Sequence, residues 1–256
     1  MMSTGNSEKM NLRIAMVIAT YFPVWGGAQV QLRQICRKLS AKGVSCFILT
    51  RRLPGTKNFE VINGIPVYRI YVTGKSKIID SFLFISLSIL WFLNNKDVFD
   101  AIHCYQAYSP ATIGIITTLI LRSKKVIVKV TSSDEYGEVA EIKKLPLYNI
   151  RISLLRRADR FLAVNKKVTE ELIGLGIRRD MISYLPNGVE VPLDSCYDYS
   201  SKMNYRRRLG LDYARLACFT GRITREKNLE ALITAWGYVI KQCSDAHLMF
   251  VGEGGA

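Results

Sequence analysis

Short, nearly continuous apolar runs alternate with segments of helical periodicity along most of this chain. The first run, at 12–19, is followed by a loop containing two glycines, a predicted helix at 28–41 and a second run at 44–50. Runs that are apolar at successive positions are typical of parallel strands that are buried on both faces of a sheet. The pattern therefore predicts a strand-loop-helix-strand unit, the first part of an α/β fold with a mostly parallel sheet.

The same alternation continues to about residue 190. Further strands are predicted at 101–105, 126–130, 160–164 and 182–185, with helices at 109–121 and 146–157 and a helix capped by Asn165 between the last two strands. An Asn63-Gly64 pair between two short β-type runs predicts a hairpin at 60–70. The most hydrophobic segment, 78–93, has 16 residues and falls short of the roughly 20 needed to span a bilayer. It is predicted to be a helix packed on the sheet, with insertion into a membrane as the alternative.

The pattern divides the chain into parts. Residues 1–11 are polar and are predicted to be a disordered tail, 12–191 form the first domain, and 192–204 resemble a linker. A second domain is expected at 205–256, with a basic helix at 205–211, strands at 216–219 and 247–251 and a helix from 229 to about 242 between them. One strand-helix-strand unit cannot bury both faces of its own sheet, so this second domain is expected to be incomplete.

Charge narrows the possible partners. The chain has 36 basic and 21 acidic residues, a net charge of +15, which indicates an anionic partner such as nucleic acid, a phospholipid surface or a phosphorylated small molecule. No helix-turn-helix, zinc-finger or aromatic-rich RNA-binding pattern accompanies the basic residues, so nucleic acid is disfavoured. Two histidines and six cysteines show no ligand spacing, so no metal is expected. Most cysteines lie in apolar segments, as is usual for reduced cytosolic proteins.

The segment 219–228 carries the clearest candidate chemistry. Arg222 and Lys227 lie in a turn between a predicted strand and a predicted helix. The first N–H groups of a helix favour anions, and a neighbouring Arg and Lys favour a phosphate group with two charges. The alternative is a solvated basic turn.

A second candidate turn follows the first strand. Gly26 and Gly27 precede the first predicted helix, and glycines at this position allow backbone N–H groups to approach a phosphate closely. The alternative is a plain glycine turn. The turn lacks the Gly-x-Gly-x-x-Gly pattern, which argues against a dinucleotide-dependent oxidoreductase.

Five stretches in order resemble glycosyltransferases of the GT-B fold, most closely family 4, over roughly residues 11–256. They are Gly26-Gly27-Ala28, Ile102-His103-Cys104, the run from Ala158 to Val164, the run from Leu185 to Val189, and Gly221-Arg222 with Glu226-Lys227. The resemblance implies a Rossmann-like N-terminal domain on the acceptor side and the start of a second Rossmann-like domain that binds a nucleotide-sugar. It further implies a retaining transferase with no metal and no cofactor beyond its nucleotide-sugar substrate.

The resemblance also implies roles for particular residues. Those expected at the donor diphosphate are Arg222, Lys227, Gly26 and Gly27, with Gly252 and Gly254 in a nucleotide loop and with His103 and Asp134 at the acceptor cleft. Thr131 stands where many family members have an active-site His, and the resemblance makes it the candidate catalytic residue. A buried core histidine is the alternative for His103. The family's Glu-x7-Glu motif does not occur before Ala256.

The function implied is transfer of a sugar from a nucleoside-diphosphate sugar to a glycan or lipid-linked acceptor, in cell-envelope or exopolysaccharide synthesis. The alternative is a catalytically inactive remnant that binds a membrane or a partner. We expect a cytoplasmic protein attached to the inner face of an anionic membrane. In the helix at 146–157, Leu147, Ile150, Leu154 and Leu155 are predicted to form an apolar stripe beside basic residues.

Overall fold

The computed structural model describes residues 12–190, 198–211 and 215–254. The chain divides into two compact units, Met1–Gly188 and Val189–Ala256, close to the predicted boundary after residue 191. The predicted tail at 1–11 and residues 192–197 of the predicted linker lie outside the described part of the chain.

The first unit is an α/β sandwich built on an eight-stranded sheet. Its strands are β1 (Arg13–Val17), β2 (Ser45–Arg51), β3 (Phe59–Ile62), β4 (Ile65–Ile70), β5 (Ala101–Tyr105), β6 (Lys125–Val130), β7 (Arg160–Ala163) and β8 (Ile182–Tyr184). Its helices are α1 (Gly27–Ser40), α2 (Lys77–Asn94), α3 (Ser109–Ile120), α4 (Glu138–Lys144), α5 (Tyr148–Leu155) and α6 (Lys166–Gly174).

Strand order places a reversal at the centre of this sheet. The order is β3-β4-β2-β1-β5-β6-β7-β8, and every pair except β3–β4 is parallel. From β1 the chain crosses to β2 on one side, whereas from β5 it crosses to β6 on the other. Ligands of open α/β sheets bind at the carboxyl ends of the strands beside such a reversal, which here lies between β1 and β5. The predicted α/β class with a mostly parallel sheet is confirmed.

The core has two layers because successive residues of a strand point to opposite faces of the sheet. Ala15 and Val17 of β1 pack in the cluster that includes α2 and α3, whereas Met16 packs with Leu32 and Cys36 of α1 on the other face. All five side chains are at most 1% exposed. Helices on both faces therefore bury strands that are apolar at successive positions, as the sequence pattern predicts.

The hairpin between β3 and β4 is confirmed. Asn63 and Gly64 form the two-residue turn, with φ of 52° and 79°. A tight turn of this kind requires positive φ at both positions, which Asn and Gly adopt most easily.

Helix α2, with 18 residues, is the longest helix described in the first unit. Ser76 caps its N-terminus, and Phe84, Ser88 and Phe92 are buried where the helix packs against α3 and β4. Among the described residues, α2 is the one helix whose length and composition would let it cross a membrane, and 17% of this span is buried. This packing agrees with the predicted helix on the sheet.

The predicted helix at 146–157 differs from the structure. Helix α4 ends at Lys144, Leu145 is extended, and α5 begins only at Tyr148, after Leu147 with a left-handed φ of 58°. Pro146 accounts for the end of α4, because a residue that precedes proline is disfavoured in the helical conformation. The left-handed conformation of Leu147 then delays the start of α5 to Tyr148. The predicted apolar stripe is wrong as a single face, because its residues differ in their exposure to solvent. Ile152 and Leu155 face the core, Leu154 packs partly against it, and Leu147 and Ile150 are 71% and 63% exposed.

The second unit contains one β-α-β unit preceded by a helix. Its elements are α7 (Tyr199–Arg208), β9 (Arg215–Thr220), α8 (Leu229–Gln242) and β10 (Ala246–Val251). β9 and β10 pair in parallel, which confirms the predicted unit. Helix α7 begins at Tyr199, within the predicted linker, because the carboxylate of Asp198 accepts a hydrogen bond from the backbone N–H of Ser201 and caps the helix.

Candidate functional site

The loop after β1 leads to the start of α1 at the central reversal of strand order. Gly26 is the N-cap residue of α1 and has an extended backbone, so its position has no capping side chain and leaves the first N–H groups of the helix without a side-chain acceptor. A Cβ at Gly26 would lie 2.6 Å from Oε1 of Gln29, whose Nε2 donates to the carbonyl and the hydroxyl of Thr20. Gly26 therefore lets Gln29 tie the start of α1 to the loop. At Gly27, by contrast, a Cβ would meet nothing within 4 Å.

Thr131, the predicted catalytic residue, follows β6 at the same edge of the sheet. Its backbone N–H and its hydroxyl both donate to Oε1 of Glu138, each at 2.7 Å. Oε2 of Glu138 accepts from the backbone N–H of Ala107, in the loop after β5, at 2.5 Å. Glu138 is 1% exposed, and its burial raises the pKa of the carboxyl group, with these hydrogen bonds opposing the rise. The Thr131 hydroxyl is thus held by a buried acid that the sequence analysis missed.

Asp134 remains at the surface of the loop after β6. It adopts φ of 68°, which Asp tolerates better than most residues, and starts a short 3₁₀ turn. Its backbone N–H donates to Oε1 of Glu171 in α6 at 2.9 Å, and one oxygen of its carboxylate accepts from the Ser133 hydroxyl at 3.0 Å. The other oxygen is available on the carboxyl-end side of the sheet, where the acceptor cleft is predicted.

His103 lies inside the sheet. It lies at the middle of β5, which ends at Tyr105 as predicted, and pairs with Met16 and Ile127 on either side. Burial, with a contribution from the charge of Lys129, lowers the pKa of His103 to about 4, so its imidazole is neutral at pH 7. This placement favours the core-histidine alternative for His103.

A buried lysine anchors the end of the first unit. Lys129 of β6 is 1% exposed, and its Nζ donates to Oδ1 of Asn187 at 2.7 Å and lies 5.3 Å from the ring centre of Tyr105. Burial lowers the pKa of Lys129. Gln31 of α1 donates to the carbonyl of Gly188. The end of the first unit at 187–188 is therefore fixed to β6 and α1, and the unit boundary follows Gly188.

Arg222 and Lys227 lie between β9 and α8, as predicted. The guanidinium of Arg222 donates to the carboxylate of Glu226, and both side chains are partly exposed. Lys227 ends a short 3₁₀ turn, and its exposed ammonium has no partner in the described part of the chain. Asn228, the N-cap of α8, makes no side-chain cap, so N–H groups of the first helical turn remain available beside the two cations. The turn has the donors and the positive charge that an anion requires.

Gly252 and Gly254 follow β10 and lie directly against the Arg222 turn. Backbone hydrogen bonds of 3.0 Å join Gly221 N–H to Val251 C=O and Ile223 N–H to Glu253 C=O, which extends the pairing beyond the strands. A Cβ at Gly252 would lie 1.8 Å from the carbonyl oxygen of Gly221, and one at Gly254 would lie 2.1 Å from that of Ile223. Only glycine permits this approach, which fixes the backbone on both sides of Arg222.

The predicted site residues thus form two groups. Gly26, Gly27, Thr131 and Asp134 lie at the carboxyl ends of strands in the first unit, and Arg222, Lys227, Gly252 and Gly254 lie together in the second. Glu138, Lys129 and Asn187 are additional polar residues that the sequence analysis did not select. Among the described residues, no three His, Cys, Asp or Glu side chains are arranged to hold a metal ion.

Comparison with known proteins places this arrangement in a family. The family model described as Glycosyltransferase Family 4 matches residues 25–192, about two thirds of the chain. The chain belongs to glycosyltransferase family 4. It is 24% identical to an uncharacterised glycosyltransferase of Methanocaldococcus jannaschii, in an alignment that covers 95% of this chain and 63% of that protein. The chain therefore spans less than two thirds of this relative's length.

Solved structures show the same fold. HepE of Anabaena, solved in complex with UDP and glucose, has a TM-score of 0.71 and 17% identity, with 95% of this chain and 62% of that chain covered. The UDP-N-acetylglucosamine 2-epimerase of Methanocaldococcus jannaschii has a TM-score of 0.59 and 12% identity, with 93% and 65% covered. These likenesses confirm the predicted α/β, GT-B fold class. Because an epimerase shares it, the fold alone does not assign an activity.

The close approach of the two glycines yields a test within the second unit. Gly252→Ala and Gly254→Ala should each destabilise this unit by about 1–3 kcal/mol, because a methyl group would overlap a backbone oxygen that cannot move aside. Gly237→Ala is the matched control, since no atom lies within 4 Å of its Cβ position and it lies inside α8. There alanine should stabilise by about 0.5–1 kcal/mol. Native-state hydrogen exchange of β9 and β10 amides measures all three, and wild-type exchange in the first two variants would contradict the account.

Proposed function

We propose that this protein transfers a sugar from a nucleoside-diphosphate sugar to a glycan or lipid-linked acceptor, with retention of anomeric configuration, in the synthesis of cell-envelope or exported polysaccharide. Membership of glycosyltransferase family 4 supports transfer as the reaction class. The observation that carries the proposal in this chain is the turn with Arg222 and Lys227, which Gly252 and Gly254 hold in place.

The Arg222 turn suits a leaving diphosphate. Negative charge grows on the diphosphate as the bond to the sugar breaks, and a guanidinium and an ammonium placed there stabilise that charge more in the transition state than in the substrate. Glu226 holds Arg222 at one end of its guanidinium and leaves other N–H groups free to donate to phosphate oxygens. HepE of Anabaena has been solved with UDP and with UDP-glucose, which makes UDP the first ligand to test.

The first unit is proposed to bind the acceptor. Loops after β1, β5 and β6 meet at one edge of the sheet, where Gly26, Asp134 and Thr131 lie. Thr131 is no strong candidate for a base, because a neutral hydroxyl has little affinity for a proton. We therefore propose that the departing diphosphate accepts the acceptor's proton and that the loops position the acceptor.

Attachment to an anionic membrane surface, on the cytoplasmic side, is proposed as the setting of this reaction. The net charge of +15 supports it, and so does the exposure of Leu147 and Ile150 beside Lys143 and Lys144. A non-catalytic protein that binds membranes or a partner through this surface is the second candidate. It predicts lipid binding without nucleotide binding.

The donor site is tested by substitution of its cations. Arg222→Ala and Lys227→Ala in the full-length protein should each weaken UDP binding by about 1.5–3 kcal/mol, as expected for hydrogen bonds to charged groups. Arg225→Ala is the control, since it removes the same charge from the same turn without touching the proposed pair. Calorimetry measures the affinities. Equal affinity in all four proteins, wild type included, would remove the basis of the proposed donor site.

The membrane surface is tested by sedimentation with liposomes. Ile150→Ser should reduce the bound fraction on anionic liposomes about fivefold or more, because burying such a side chain contributes about 1.5–3 kcal/mol. Val61→Ser is the control, since Val61 is exposed to a similar degree, 60%, on β3. Binding by the wild type should increase with anionic lipid and fall with salt. The proposal fails if Ile150→Ser and Val61→Ser reduce the bound fraction equally, or if the bound fraction of the wild type does not depend on lipid charge.

A further inference from the structure

Glu138 is the most deeply buried carboxylate at the carboxyl edge of the large sheet, and its bonds reach two loops. We propose that Glu138 is a positioning residue that holds the loops after β5 and β6 in the single arrangement in which they receive the acceptor. The assignment of an acceptor to these loops rests on the proposed function. The set of hydrogen bonds that joins Glu138 to Ala107 and Thr131, here termed the clamp, does not depend on it.

Three donors from two loops converge on this carboxylate. Oε2 accepts from the backbone N–H of Ala107, while Oε1 accepts from the backbone N–H and the hydroxyl of Thr131, all within 2.7 Å. Ala107 lies 31 residues before Glu138 and Thr131 seven residues before it. One side chain therefore fixes two loops that follow neighbouring parallel strands.

The fold of the loop after β6 makes this contact possible. Gly137 packs against the backbone of Ser133, where a Cβ would lie 2.4 Å from the carbonyl carbon and 2.6 Å from Cα. This approach turns the chain back on itself, so that Glu138 begins α4 directly over Thr131. Helix α4 is in turn held by Val139 and Ile142, which are 3% and 2% exposed.

Because Glu138 is buried, its carboxylate needs the hydrogen bonds that the two loops donate. No Lys, Arg or His side chain forms an ion pair with Glu138 among the described residues, so the hydrogen bonds from Ala107 and Thr131 are its main compensation. A buried carboxylate without such donors would be strongly destabilised. The acid and the two loops consequently depend on one another.

The substitution Glu138→Gln removes one acceptor oxygen from the clamp and keeps the volume of the side chain. The amide of Glu138→Gln has one acceptor oxygen, so its NH₂ group must face either Ala107 N–H or the two donors of Thr131. One loop is therefore released while the shape of the core is kept. Glu141→Gln is the matched control, because Glu141 lies on the same helix and is a half-exposed carboxylate paired with Lys144.

The first measurement is hydrogen exchange in the full chain. In Glu138→Gln, the Ala107 or Thr131 amide should exchange at least about tenfold faster, while Ile102 and Val128 in the strands should keep their protection, because the opening is local. Uniform loss of protection would indicate a general loss of stability and overturn the proposal. Gly137→Ala, which displaces Glu138 without changing its chemistry, should release the same amides.

The second measurement is transfer from UDP-glucose to a panel of p-nitrophenyl glycosides. Glu138→Gln should raise the KM for the acceptor about fivefold or more and leave UDP affinity unchanged, and Glu141→Gln should change neither. Arg222→Ala should show the reverse, with loss of UDP affinity and intact protection of Ala107 and Thr131. Absence of transfer by the wild type would count against the proposed function, with the clamp then judged by exchange alone. Unchanged exchange at both amides in Glu138→Gln would overturn the clamp.

Discussion

The direction of the strands is the constraint on which the first unit depends. Every pair of neighbouring strands except β3–β4 is parallel, so the loops after β1, β5 and β6 emerge at one edge of the sheet. The reversal of order between β1 and β5 opens a crevice there, where α1 begins. Gly26, Ala107 and Thr131 reach this edge from segments far apart in the sequence. Chemistry at the edge then depends on how firmly each loop is held, and hydrogen bonds from Gln29 and to Glu138 supply that rigidity.

The two units fix their functional backbone in different ways. In the second unit, backbone pairing continues past the strands because Gly252 and Gly254 let carbonyl oxygens approach closely. Arg222 therefore has a fixed backbone and an exposed side chain paired with Glu226. In the first unit, buried charged groups fix the backbone: Glu138 joins two loops, and Lys129 holds Asn187. An exposed cation suits a ligand that carries its own charge, whereas a buried charge suits a permanent internal contact.

Local patterns predicted most of the fold and little of the first unit's site. Apolar runs gave the strands, and Asn63-Gly64 gave the hairpin, because each depends on neighbours in sequence. The helix predicted at 146–157 begins two residues later, at Tyr148, because Leu147 adopts a left-handed conformation that helical periodicity does not show. Glu138 and Lys129 resisted prediction for a physical reason. The contacts of Glu138 with Ala107 and of Lys129 with Asn187 span 31 and 58 residues, so the sequence around each charge does not show these partners.

The central claim is that the turn between β9 and α8 receives the diphosphate of a nucleotide-sugar. Titration of UDP into the ¹⁵N-labelled full-length protein, followed by amide chemical shifts, tests it most directly. The account predicts saturable shifts at Arg222, Ile223, Lys227 and Gly254, which line one continuous backbone surface. Shifts confined to the first unit, or none at saturating UDP, would contradict it.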